Sequence, residues 1–308
     1  MSQKPIAVVT GGAGFVGTHL TRALLDEGFA VHAVDALISP VAGRVLDADI
    51  VLHKIDVCDR AALEKLFNEL GAIDAVFHLA AIPSVQYSLE HPQESHRVNV
   101  DGTLAALLAA KTAGVKKFIY SASSAAYGDQ KTLPHREDML PMPQSPYALQ
   151  KYVGEHYVRI FSEAYGLPSV SLRYFNIYGP GANPTGAYAS ALGKFIQQRK
   201  DGTALTITGD GLQTRDMVHV RDVARANIMA YKSGKTGKGE VINIGSGRAT
   251  AVLELASLVG GSITHVPPRI ELRHSCADIS RAKELLGWEP TIYLKDGVEE
   301  LKRLAGIV

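Results

Sequence analysis

Only two cysteines, Cys58 and Cys276, occur in 308 residues. Their separation matches no metal-ligand spacing, and two thiols supply no disulfide framework, so a small stapled secreted fold is excluded. A reducing cytoplasm is the expectation. An excess of charge is also missing: 32 Lys and Arg stand against 31 Asp and Glu, which leaves no global field to hold nucleic acid or an anionic membrane. Any phosphate recognition has to be local. Long apolar runs are absent as well. The first run, at 6–9, stops before Gly11 and Gly12, too short for a signal peptide, and no later one approaches a membrane span. Neither an internal repeat nor a low-complexity tract occurs. What remains is an ordinary globular composition, 46% apolar, in a chain long enough to bury a large core.

Short apolar runs at 6–9, 30–34, 51–55, 75–79 and 117–120 alternate with amphipathic stretches. This is the rhythm of an α/β protein with a doubly wound parallel sheet. One helix is expected over 98–113, ending at Gly114, and another over 146–165, opened by Pro146 and closed by Gly166. Residues 170–174 predict a sixth strand. Beyond it, Gly179-Pro-Gly181 and a turn at 183–186 break the rhythm, and the last third mixes strands (205–208, 241–244) with helices near 222–231, 251–259 and 279–286. The expected division is a Rossmann-type domain over 1–175, to which 216–245 returns, and a smaller C-terminal α/β region made of 176–215 and 246–308.

The run Thr10-Gly-Gly-Ala-Gly-Phe-Val-Gly17 follows the first strand and opens a helix. A side chain at Gly12 or Gly14 would hold the backbone away from a pyrophosphate, and Gly17 lets helix and strand approach; Gly11 belongs to the same turn. The helix N-terminus adds free N–H groups and a partial positive charge. Asp35 ends the second strand about 20 residues further on, where a carboxylate accepts both ribose hydroxyls and repels a 2′-phosphate. No Arg follows it before Arg44, so NAD rather than NADP is the expected cofactor.

Ser123, Tyr147 and Lys151 are the residues expected to carry chemistry. Tyr147 and Lys151, four apart, share one helix face, close enough for the ammonium to act on the phenol. The spacing alone says little, because Tyr127/Lys131 and Tyr231/Lys235 repeat it, but both of those carry a glycine in between, which weakens them as helices. An ordinary phenol titrates near 10, so on the order of one in a thousand is a base at pH 7, and lowering it by roughly 3 units takes about 4 kcal/mol. Lys151 and the positive nicotinamide ring of NAD+ could together supply this.

These segments, with His78-Leu-Ala-Ala81, Asn99, Ser121-Ala-Ser-Ser-Ala-Ala-Tyr-Gly128 and Arg173-Tyr-Phe-Asn-Ile-Tyr-Gly179, resemble the UDP-glucose 4-epimerase family of extended short-chain dehydrogenases; so do 209–216 and 273–282. The resemblance implies that Asp56 and Val57 flank the adenine and that Leu79, Ala80 and Ala81 line the cofactor, with Asn99 a structural polar group beside it. It adds Phe15, Val16 and Tyr174 to the cofactor set. On the substrate side it implies that Ser123 bonds the sugar oxygen undergoing oxidation, that Ser84 and Ser124 lie near the sugar, and that Asn176, Arg215 and Arg269 hold the diphosphate, with Arg273 a neighbouring alternative to Arg269.

The implied activity is 4-epimerisation of a UDP-hexose. Tyr147 as phenolate takes the 4-hydroxyl proton while C4 gives a hydride to NAD+, and the 4-keto sugar turns before the hydride returns to its other face. Ser275 falls at a pocket-wall position where a small residue leaves room for an N-acetyl group, so both plain and N-acetylated UDP-sugars are expected substrates. A 4,6-dehydratase would need an acid and a base directly after Ser123, where Ser124 and Ala125 stand, and a decarboxylating relative would carry a carboxylate nearby. UDP-glucuronate is the less favoured epimerase substrate, because its carboxylate wants a cation and the loop at 179–183 holds no Arg. A non-catalytic NAD sensor would need neither Tyr147 nor Lys151. Family members commonly pair through the two helices expected at 98–113 and 146–165, so a homodimer is implied.

Overall fold

The computed structural model describes residues 4–38, 46–184, 191–268 and 272–307. Along the chain run β1 (Ile6–Thr10), α1 (Phe15–Asp26), β2 (Ala30–Val34), β3 (Val51–His53), α2 (Arg60–Leu70), β4 (Ala75–His78), α3 (Val85–Glu90), α4 (Pro92–His96), a π-helical turn (Arg97–Asp101), α5 (Gly102–Thr112), β5 (Phe118–Ser123), a 3₁₀ turn (Ser124–Tyr127), α6 (Pro146–Tyr165) and β6 (Ser169–Tyr174). The remainder comprises β7 (Asn176–Tyr178), α7 (Ala191–Lys200), β8 (Leu205–Thr208), β9 (Thr214–His219), α8 (Val220–Lys232), β10 (Lys238–Ile244), β11 (Ala249–Ala251), α9 (Val252–Val259), β12 (Ile263–Val266), α10 (Ser280–Leu286) and α11 (Leu294–Ala305).

Seven parallel strands form the main sheet in the order β10-β6-β5-β4-β1-β2-β3. Its strands are apolar on both faces because each face is covered. One apolar cluster joins Val9, Phe77 and Ile119 to Leu20 of α1 and Val223 of α8. The other joins Val8, Val76 and Phe118 to Phe67 of α2, Ala106 of α5 and Val158 of α6. Chain order reverses between β1 and β4, so the crevice at their carboxyl ends is where this architecture takes a ligand. The strand–helix rhythm of the first half and β10 in the last third are as expected. The helix expected over 98–113 is different: it is a π-helical turn followed by α5, and α4 runs into it from the N-terminal side.

A third apolar cluster gathers Leu192, Phe195, Leu205, Ile207, Leu255 and Val298 under a three-stranded sheet, β11-β9-β7, and a pair, β12-β8. β7 lies parallel to β9 and β11 antiparallel to it. This smaller unit stands at the carboxyl end of β6, because β7 continues from that strand after Phe175.

Candidate active site

The glycine loop is close-packed backbone. A Cβ on Gly17 would fall 2.1 Å from the Gly11 carbonyl oxygen, and one on Gly11, at φ +69°, would meet Ala80 N at 2.8 Å. One on Gly12 would strike Ala33 Cβ at 2.7 Å. Gly14 is the N-cap of α1 and brings no side-chain cap, so the first-turn amides, with Phe15 and Val16, face the crevice without a side-chain acceptor of their own. Leu79 and Ala80, at the end of β4, back directly onto Gly11, and Ala81 follows, half-buried. Asp35 sits just past β2, its two oxygens accepting from Ala13 N at 3.0 Å and Leu37 N at 2.8 Å. An uncapped helix, bare backbone and a carboxylate at the second strand's end fit a dinucleotide.

Asp56 accepts from Cys58 N at 2.9 Å and from Arg97 Nη1 at 3.0 Å. Burial works to raise its carboxyl, but those bonds outweigh it and hold the group below the ordinary range. Val57 is buried against Gly102. Asn99, fully buried in the π-helical turn, accepts from Ile82 N at 2.8 Å and donates to Ile82 O at 3.2 Å and Gln150 Oε1 at 2.8 Å. Its amide is a bracket between the loop after β4 and the helix that carries Lys151. Tyr174 lies in the core, its hydroxyl donating to Asn227 Oδ1 at 2.9 Å and accepting from Ser121 Oγ at 3.1 Å.

α6 starts where Ser145 accepts from Ala148 N at 3.2 Å with Pro146 in the first turn, and it ends at Gly166 in the left-handed region. The helix brings Tyr147 beside Ser123 at the end of β5, near enough for the Ser123 hydroxyl to act on the phenol; Ser123 Oγ itself accepts from Ala125 N at 3.2 Å. Lys151 is buried, donating to Ser121 O at 2.8 Å with its Nζ 5.0 Å from the Tyr120 ring centre. Burial raises the Tyr147 phenol above its ordinary value, and the neighbouring Ser123 hydroxyl only partly offsets this. Burial also drives Lys151 down, to about 7, against the pull of Glu155. The lowered phenol expected from the sequence is therefore not a property of the protein alone, because desolvation penalises both charged forms.

On the substrate side, Asn176 is exposed at the start of β7 and in register with Met217. Arg215 is two residues from Met217 on β9, so both side chains project to one face. Arg215 Nη1 donates to Thr214 O at 2.9 Å. Ser275 is buried and level with Arg215, since Thr214 N bonds Arg273 O and Asp216 takes Ala277 N at 2.9 Å. Ser124 opens the 3₁₀ turn after Ser123 and is half-buried. Ser84 is buried as the N-cap of α3, accepting from Tyr87 N at 3.1 Å. Arg269 lies outside the described residues, as does the second half of the turn expected at 183–186. Its alternative, Arg273, is exposed and paired bidentately with Asp210 at 2.8 and 2.7 Å.

Three supports of α6 leave little or no mark in the sequence. Ser88 of α3, fully buried, accepts from Tyr147 N at 3.1 Å. Gln150 donates to Ser95 Oγ at 3.0 Å as well as accepting from Asn99. Glu155 is bound bidentately by Arg173 at 2.8 and 2.7 Å. Only the last left a trace in the sequence, as a carboxylate four residues after Lys151.

Residues 7–245 match the family model described as the NAD dependent epimerase/dehydratase family. The UDP-glucose 4-epimerase of Mycolicibacterium smegmatis is 36% identical over 303 residues, 94% of this chain and 95% of that protein. The structure of the Thermotoga maritima UDP-glucose 4-epimerase with UDP-glucose superposes with a TM-score of 0.91 at 38% identity, covering 97% of this chain and 99% of that one. A UDP-glucuronic acid 4-epimerase from Bacillus cereus, solved with UDP-glucuronic acid and NAD, superposes at 0.87 and 35% identity, with 97% and 99% covered. By its sequence, its sheet and its glycine loop, the chain belongs to the NAD-dependent epimerase/dehydratase family.

Proposed function

We propose that the protein epimerises C4 of a UDP-hexose, interconverting UDP-glucose and UDP-galactose and accepting their N-acetylated counterparts. Residues 1–175 and 216–245 hold the cofactor, and 176–215 with 246–308 hold the sugar nucleotide. The observation that carries this is the placement of Tyr147 on α6 beside Ser123 at the carboxyl end of β5, with Lys151 buried one turn behind and donating to Ser121 O. NAD+ supplies the hydride acceptor and a positive ring. Gly11, Gly14, Gly17 and the start of α1 cradle its diphosphate, Asp35 takes its ribose hydroxyls, and Asp56 and Val57 flank its adenine. Tyr147 removes the 4-hydroxyl proton, and Ser123 holds the same oxygen through oxidation. Asn176 and Arg215 grip the diphosphate while the 4-keto sugar turns, so the anchor is charged and the sugar end is lined by small groups such as Ser275.

Membership of the family also takes in UDP-glucuronate 4-epimerases, one of which is 33% identical over 309 residues. A plain hexose remains the reading here because no Arg stands in the loop at 179–183 to meet a uronate. No helix among the described residues is long and apolar enough to cross a membrane. Both cysteines are free thiols, in keeping with a cytoplasmic enzyme. A homodimer through α5 and α6 would cover Leu149, Ile160 and Tyr165, which α6 leaves exposed.

The test is NMR of the equilibrium mixture after incubation with UDP-glucose, UDP-N-acetylglucosamine and UDP-glucuronate in turn. The first two should be converted without net NADH. Tyr147→Phe should abolish conversion while NAD stays bound, and near-normal turnover by that variant would remove the assignment of the base.

A further inference from the structure

We propose that Glu155 is a positioning residue for the proton transfer: clamped by Arg173 one turn behind Lys151, its carboxylate keeps the lysine in the charged form that Tyr147 needs. The proposal rests on Tyr147 being the base. Tyr147, Lys151 and Glu155 are spaced by four on α6 and so lie in a row on the face turned to the sheet. Glu155 is 3% exposed and Arg173 2%. Arg173 registers with Ala122, one residue before Ser123, so the ion pair stands immediately behind the reacting end of β5. The guanidinium also stacks on Tyr127, 4.6 Å from its ring centre.

Stability does not explain this pair. A buried ion pair loses about as much in desolvation as it gains in attraction, and apolar groups of the same volume often serve as well. Here Arg173 Nη1 is left without a partner. Lys151 is what the pair has for a neighbour. Burial lowers the lysine to about 7, and Glu155 is the charge that works against that fall. Burial raises Glu155 and Arg173 opposes this without fully offsetting it; both carboxylate oxygens accept from the guanidinium, at 2.8 and 2.7 Å, which is the contact of an ionised carboxylate.

The other titratable groups around the lysine carry no negative charge at neutral pH. Tyr147 and His156 share its helix, Tyr120 lies under its Nζ on β5, and His78 on β4 is held neutral near 3. Acids on elements packed against α6 are engaged elsewhere: Glu240 of β10 with the Gly237 and Lys238 amides, and Glu94 of α4 with Tyr87. Among the described residues, Glu155 is the anion that acts on Lys151.

A specific pH signature follows. When one proton has left the Tyr147–Lys151 pair, the working form is phenolate with ammonium and the idle form is phenol with amine. Weakening the lysine's hold on its proton populates the idle form and leaves the working form unchanged relative to the fully protonated pair. Activity on the acid limb should therefore stay put, while the plateau drops and is reached at lower pH. A merely loosened helix would lower both alike.

The experiment uses full-length Glu155→Gln, Glu155→Asp and the double variant Glu155→Met/Arg173→Met, which leaves no unpaired guanidinium in the core. Lys151 is titrated by ¹⁵N NMR of lysine-labelled protein, and UDP-glucose conversion with NAD is followed against pH. Glu155→Gln and the double variant should titrate Lys151 below the wild-type midpoint and lose about tenfold in plateau rate per pH unit of that movement. Glu155→Asp should restore both. A folded double variant with the wild-type midpoint, or one whose rate falls equally at every pH, overturns the proposal. A moved midpoint beside an active Tyr147→Phe enzyme overturns the assignment of the base and leaves the Glu155–Lys151 coupling standing.

Discussion

Gly154 sits on α6 between Lys151 and Glu155, and replacing it with alanine is a mechanical test of how closely the catalytic helix must lie on the sheet. The new Cβ would fall 2.1 Å from Tyr120 Oη, 2.4 Å from Cζ and 2.9 Å from Cε1. Carbon contacts are comfortable at about 3.5–4.0 Å, so roughly 1.5 Å has to be found. Tyr120 cannot give it: the ring is fully buried, stacked on His78 at 6.0 Å, with its hydroxyl on Lys151 O at 3.3 Å. The helix must lift instead, which pulls Lys151 from Ser121 O and Tyr147 from Ser123. Overpacking of this kind costs about 1–3 kcal/mol, and a displacement of about 1 Å at reacting groups costs on the order of 100-fold in rate. Gly154→Ala should therefore fold with Tm a few degrees lower, bind NAD through the untouched glycine loop, and lose about two orders of magnitude in kcat. Steady-state kinetics beside calorimetry decide it. Tyr120→Phe in the same chain should not rescue, because Cζ still lies at 2.4 Å. A Gly154→Ala enzyme with wild-type Tm and kcat would refute the claim that α6 is pinned there.

Two further outcomes are expected. Gly17→Ala places a methyl 2.1 Å from Gly11 O and 2.8 Å from Gly12 C and Cα, all backbone, so NAD affinity measured by calorimetric titration should be lost; wild-type affinity would show that the loop can open at no cost. His78 is buried between Thr10 and Thr103 hydroxyls at 2.8 and 3.0 Å, and burial, with Lys151 adding to it, lowers the ring to about 3. A histidine lowered in the fold stabilises fully above its unfolded value near 6.5 and loses that contribution as pH falls towards the folded value. Urea denaturation should find the protein about 2–3 kcal/mol less stable at pH 4.5 than at pH 7.5 from this group, a difference that His78→Asn reduces.

What could be read from the sequence was what depends on near neighbours along the chain. Alternating short apolar runs gave away the sheet because each strand is buried on both faces, and the glycine loop announced itself because four bare positions fall within seven residues. Tyr147 and Lys151 were legible for the same reason: one helix turn fixes their relation. The helix expected over 98–113 was one element too simple, since an extra residue in the turn at 97–101 leaves no mark on hydrophobic periodicity. The supports of α6 were invisible because they span the topology: Ser88 reaches Tyr147 across 59 residues and Asn99 reaches Gln150 across 51. Arg173 stood in plain view within a motif, yet only the neighbouring placement of β5, β6 and α6 shows that its partner is Glu155.

The charge state of Tyr147 and Lys151 depends on their burial. With the phenol raised and the amine lowered to about 7, burial favours the neutral form of both groups. Moving the phenol proton to the amine changes no net charge, so the cost of the working form is the creation of two opposite charges beside a buried lysine. Each device seen here bears on that cost. The Ser123 hydroxyl lies beside the phenol, the Ser121 carbonyl accepts from the ammonium, and Glu155 supplies an anion one turn behind. None offsets burial alone, since burial still dominates both shifts; on the proposed assignment the positive charge of bound NAD+ would supply the remaining stabilisation of the phenolate.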